Sequence, residues 1–154
     1  VLDPIWSLVI ASALGVIGGL IPYKLFVSHL EESSSEEEFS ARRQQGYYRY
    51  LIRHVSTQAI PILFLLYGMY FILSEGSAST SVTDVTPFLA AVILIIILGN
   101  LFPYLMVLPI LRDPRTTEQM KNQTKGLYAV GSSLIIAVAI ASLGMLILIF
   151  TGQV

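Results

Sequence analysis

Apolar and polar positions alternate along this chain on a long wavelength. Four apolar runs, at about residues 5–28, 48–74, 86–111 and 126–150, are parted by shorter polar stretches. Crossing the hydrocarbon core of a bilayer takes about 20 apolar residues at 1.5 Å rise each, and every run reaches that length. The runs are apolar around the whole helix rather than along one stripe, which fits lipid or a bundle interior. Strands are not expected, because no sustained two-residue alternation with turn signals appears. The pattern predicts an all-α integral membrane protein, a four-helix transmembrane bundle forming a single domain over residues 1–154. The polar stretches at about 29–47 and 112–125 would be loops on one side, and that at about 75–85 a loop on the other.

One short stretch occurs twice. Gly18-Gly19-Leu20-Ile21-Pro22-Tyr23 is matched by Gly99-Asn100-Leu101-Phe102-Pro103-Tyr104. Each copy sits in the second half of an apolar run and leads into a polar loop. Weaker matches pair Ser56, Gly68 and Met69 with Ser132, Gly144 and Met145. The expectation is a two-helix hairpin used twice in tandem, with a pseudo-twofold axis along the membrane normal. Glycine followed four residues later by proline weakens a helix, through backbone entropy and a lost donor. Gly18, Pro22 and Tyr23, with Gly99, Pro103 and Tyr104, are therefore expected to mark paired helix breaks.

Composition sharpens the class. Charged residues make up 12% of the chain, about half the share typical of a soluble domain. There is no cysteine, which excludes disulfides, thiolate catalysis and cysteine-held metals. The net charge of −1 argues against nucleic acid as a partner. The first run is too long for a signal-peptide core, and Val1-Leu2-Asp3-Pro4 carries no basic residue, so it reads as a retained span. Asp3-Pro4 is a plausible N-cap and first-turn pair.

Charge placement predicts orientation. All nine basic residues flank or lie in the segments 24–53 and 112–125. Positive charge collects on the cytoplasmic side, so both loops are expected there and both termini on the non-cytoplasmic side. Trp6, Tyr67 and Tyr70 would then mark the outer interface, and Tyr47, Tyr48, Tyr50 and Tyr128 the inner one.

Small residues at four-residue spacing form two stripes, Ala11, Gly15 and Gly19 on the first run and Ala129, Ser133, Ala137 and Ala141 on the fourth. Such stripes let helix backbones approach closely, and packing of the first helix on the last is the expected use. Asn100, in the middle of the third run, calls for an interhelical hydrogen bond. Ser56, Thr57 and Gln58 form a polar patch that could line a small cavity with Asn100. His29 and His54 sit on neighbouring helices, where a pair of histidines can hold haem iron, but no second feature marks a pocket. No nucleotide loop, serine elbow, metalloprotease helix or carboxylate pair is present. No enzyme activity, cofactor or metal is expected. The expected partners are the lipid bilayer and other membrane subunits. The expected function is a small non-catalytic subunit that packs in and stabilises a larger membrane complex. The alternative is a small oligomeric channel or transporter using the paired Gly-x-x-x-Pro-Tyr stretches.

Overall fold

A computed structural model of the chain describes residues 3–75 and 82–154. The middle of the loop expected at about 75–85 lies outside these residues. Four α-helices follow in order: α1 Pro4–Glu31, α2 Glu36–Glu75, α3 Val82–Arg112 and α4 Glu118–Phe150. All four are long and apolar enough to cross a membrane, and no strand occurs among the described residues.

Local chemistry sets the helix ends. The Asp3 carboxylate accepts the Ile5 N–H at 2.9 Å, and Pro4 follows as the first helical residue, so α1 starts where its cap directs. The start of α2 lies twelve residues before the apolar run. Ser35 Oγ accepts the Glu38 N–H at 3.1 Å, while the Glu38 carboxylate turns back to accept the Ser34 N–H at 3.0 Å. This is a close relative of the capping box. Glu36, Glu37 and Glu38 in the first turn complement the positive end of the helix dipole. The expected loop at 29–47 thus shrinks to a short turn, because Glu, Ala, Arg and Gln are good helix formers once a cap is present. The same holds for α4, where the Thr117 hydroxyl accepts the Met120 N–H at 3.2 Å. That helix begins at Glu118, eight residues ahead of its apolar run.

At 40 residues α2 is about 60 Å long, twice the hydrocarbon thickness. Its polar first third and the start of α4 meet beside the membrane span. Thr117 donates to Glu36 at 2.8 Å, which ties the two caps together. Arg42 pairs with Glu32 at 3.0 Å and with Glu38 at 2.7 Å, and donates to the His29 carbonyl at 3.0 Å, closing the α1–α2 turn. In the α3–α4 turn, hydrogen bonds from the Arg115 guanidinium and N–H hold the Asp113 carboxyl below its usual range. Phe39 is fully buried in this polar end, in a cluster with Leu30, Ile110 and Met120. A second cluster, built on Leu8, Leu65, Val92 and Leu146, fills the end where the termini lie.

Helix α1 is the centre of the bundle. It touches α2, α3 and α4 and packs most extensively on α2; α4 also touches all three others, whereas α2 and α3 do not meet among the described residues. The α1–α4 contact therefore has no counterpart between α3 and α2. The two Gly-x-x-x-Pro-Tyr stretches also lie in different surroundings: Tyr23 is fully buried, while Tyr104 is 43% exposed and packs edge-on against Tyr128.

Neither stretch interrupts its helix. α1 runs through Pro22, and α3 through Pro87, Pro103 and Pro109. A proline costs a helix one donor and a steric clash, and membrane helices tolerate it where neighbours pack against the distorted turn. Pro22 and Pro103 both face the interior and are buried. The expected breaks are continuous helix.

Candidate functional site

The interior between α1, α2 and α4 holds half of the buried side-chain polar atoms that lack a partner among the described residues. Three positions four residues apart on α1, namely Gly15, Gly19 and Tyr23, face three positions four apart on α2, namely Gln58, His54 and Tyr50. The match runs antiparallel and is set by helical periodicity, which returns every fourth residue to one face. The Gln58 side-chain amide donates to the Gly15 carbonyl at 2.8 Å. A Cβ on Gly19 would stand 3.1 Å from His54 Cε1. Tyr23 and Tyr50 meet edge-on with ring centroids 6.0 Å apart, and Tyr50 lies 5.8 Å from the His54 ring.

Helix α4 closes this row from the other side. Val138 packs on Gly15 and Ile135 on Gly19, and a Cβ on Gly131 would overlap the Tyr23 ring. His54 also reaches the Leu134 backbone. A Cβ at Gly19 or Gly131 would force its neighbours to move, and one at Gly15 would be a tight contact, because three helices converge here. Tyr23, Tyr50, His54 and Gln58 are all at least nine-tenths buried. Four of their polar atoms have no protein partner: both tyrosine hydroxyls, His54 Nδ1 and Gln58 Oε1. Buried polar atoms carry a cost unless paired, so a row of four partnerless ones is a place for water or a polar ligand.

The anticipated site residues divide between this interior and the outside. Ala11, Gly15 and Gly19 are buried as a packing face. Gly18 packs on Thr57, and Gly99 on Ile136 and Val16. The α4 stripe is a correction. Ala129, Ser133, Ala137 and Ala141 are all exposed on the outer surface, and α4 meets α1 through Gly131, Ile135 and Val138. Ala129, Ser133 and Ala137 each follow an inward residue by two, about 200° around the helix. Asn100 is a second correction: its amide donates to Ile96 O in its own helix at 3.0 Å and bridges to no neighbouring helix among the described residues.

The polar patch on α2 likewise disperses. Ser56 is exposed and bonded to Ile52 O, Thr57 is bonded to His54 O, and only Gln58 turns inward. Asn100 cannot join it, since α2 and α3 do not meet. His29 lies about ten residues, hence about 15 Å, along α1 from the level of His54, so the two imidazoles do not share a site. Tyr50, expected at the inner interface, is interior. Trp6, Tyr70 and Tyr48 remain exposed as interfacial residues should be.

The polar row was missed because Tyr50 and His54 precede the apolar centre of α2 and read as interfacial. Its signal was present, since Tyr50, His54 and Gln58 are spaced by four on one helix face. No family model, curated protein or solved structure matches this chain.

Proposed function

We propose that the protein is a small non-catalytic membrane subunit that packs in and stabilises a larger membrane complex, with the outer face of α4 as its docking surface. The observation that carries this reading is the exposure of Ser133, Ala137 and Ala141, continued by Gly126 and Gly144, beside which no other part of the chain lies within 4 Å. Lipid chains give helices no hydrophobic reason to associate, so close backbone packing over small residues supplies the attraction. In this reading both polar turns are cytoplasmic and the termini lie outside, as the placement of the basic residues favours. The matched Gly-x-x-x-Pro-Tyr stretches support an origin by duplication of a two-helix hairpin.

The partnerless polar row between α1, α2 and α4 favours a second reading, a small oligomeric channel or transporter. One experiment separates the two. The protein is extracted gently from its native membrane, and its size on a native gel is compared with that of Ser133→Leu/Ala137→Leu. The subunit reading expects a larger assembly that the double variant loses while keeping its own helical content and melting point. A wild-type protein that runs as an assembly of its own copies only, and passes solute alone in liposomes, would replace it with the second reading.

A further inference from the structure

A cleft of about 300 Å³ opens on the outer side of the α1–α2 seam, near the polar turn. Its polar lining is His29 from α1 and Gln45, Arg49, Tyr50 and Arg53 from α2. Arg49 and Arg53 are four residues apart, so their side chains share one helix face as like charges, an arrangement unfavourable in isolation. Among the described residues the carboxylates that form ion pairs are used elsewhere. Glu32 and Glu38 hold Arg42, Asp113 holds Arg115, and Glu118 holds Lys121. No acid lines the cleft, and neither arginine has a carboxylate partner among the described residues.

The wall behind the arginines is built. Phe26 and Tyr50 stack with centroids 5.5 Å apart and planes inclined by 15°. Gly46 makes room for that stack, since a Cβ there would stand 2.8 Å from the Phe26 ring. Tyr50 is 2% exposed, and its hydroxyl is one of the partnerless buried atoms. Leu25 in the cleft, Ile21 one turn along α1 and Ile52 between the two arginines on α2 are exposed apolar side chains at the arginines' own depth.

We propose that this cleft binds the headgroup phosphate of an anionic phospholipid, with Arg49 and Arg53 as its clamp. Guanidinium forks match phosphate oxygens in pairs, and they do so best where water is partly excluded. The exposed Gln45 amide supplies a further donor to the same group. A soluble phosphate would use the charges but leave the apolar flank uncovered. A lipid uses both, its chains lying along Ile21, Leu25 and Ile52. Basic pockets between membrane helices at interfacial depth suit such headgroups.

The test is native mass spectrometry of the purified full chain in detergent. Dioleoyl phosphatidylglycerol is added, and in a parallel sample dioleoyl phosphatidylcholine with the same acyl chains. The expected result is preferential retention of one phosphatidylglycerol, weakened about thirty-fold in Arg49→Gln/Arg53→Gln, as two interfacial cations would provide. Lys121→Gln/Lys125→Gln removes the same charge from α4 and should retain the lipid as the parent does. Inorganic phosphate at the lipid's concentration should not displace it. Equal retention of the two lipids by the wild-type protein would overturn the proposal, and that comparison needs no variant to fold. So would equal loss in the two double variants, or displacement by inorganic phosphate, which would mark the cleft as a free-anion site.

Discussion

Adding one methyl group at two different glycines should have opposite effects, and the size of the difference follows from the packing. A Cβ at Gly19 would stand 2.9 Å from Ile135 Cγ1, 3.1 Å from His54 Cε1 and 3.3 Å from Ile135 Cα. Carbon atoms rest about 3.5–4.0 Å apart, so the Ile135 side chain would have to turn away and the α4 backbone to retreat by roughly 0.2–0.7 Å. Ile135 is fully buried and its Cα is backbone, so no side-chain rotation relieves the last of these contacts. Overpacking of this kind costs about 1–3 kcal/mol. The gain in backbone entropy from Gly→Ala returns about 0.5–1 kcal/mol. Gly19→Ala should therefore lose about 0.5–2 kcal/mol. Gly144→Ala, with nothing within 4 Å, should keep only the gain and be neutral or slightly more stable. Unfolding in mixed micelles, followed by circular dichroism against denaturing-detergent fraction, reads both. Gly19→Leu should fail to fold as a bundle, whereas Leu94→Ala, at a residue 56% exposed, should be mild. If Gly19→Ala proves as stable as Gly144→Ala, α1, α2 and α4 do not converge at Gly19, and the polar row built on that convergence falls with it.

Phe39→Ala should cost about 3–5 kcal/mol in the same assay, since a fully buried ring is lost; a change under 0.5 kcal/mol would mean that the first third of α2 is not docked. The absence of cysteine makes topology mapping direct: Glu37→Cys and Asn122→Cys should react with an impermeant maleimide from the cytoplasmic side only, and Gln153→Cys from the opposite side only. Labelling of Glu37→Cys and Gln153→Cys from the same side would refute the three crossings by α2, α3 and α4 between them. The Asp113 carboxyl should titrate below the ordinary carboxylate range by carbon NMR, and Arg115→Gln should move it upward. A depressed folded-state value means that this contact stabilises the turn above the unfolded pKa, and that the contribution is lost as pH falls through the folded value.

The span count, the Asp3 cap and the α1 packing face were readable from residue order, because length, apolarity and small-residue spacing act locally. Which side of α4 faces inward was not. The helix is apolar all round, so a stripe at 129, 133, 137 and 141 and another at 127, 131 and 135 satisfy periodicity equally. Only the shape of α1 chooses, because the Tyr23 ring requires Gly131 opposite it. The polar extension of α2 was hidden for a different reason. Before Tyr47 its one large apolar side chain is Phe39, while the signal for its start is the Ser35-Glu36-Glu37-Glu38 pattern, which a search for apolar runs passes over. The duplicated stretches were easy to see but misleading about shape, since bundle packing carries both helices through their prolines.

The central position of α1 has a consequence for biogenesis. This helix emerges from the ribosome before the three that surround it, and its partners arrive in sequence. α2 comes first, bringing the Gln58 amide to the Gly15 carbonyl, and the hairpin can hold together in the bilayer. Until α4 follows, Gly19, Tyr23 and His54 remain open along one side. An interrupted chain would thus present an unfinished polar groove to the insertion machinery and to membrane proteases. Of the four described helices the one made last is the one that hides it, so the arrival of α4 and the concealment of the groove become a single event.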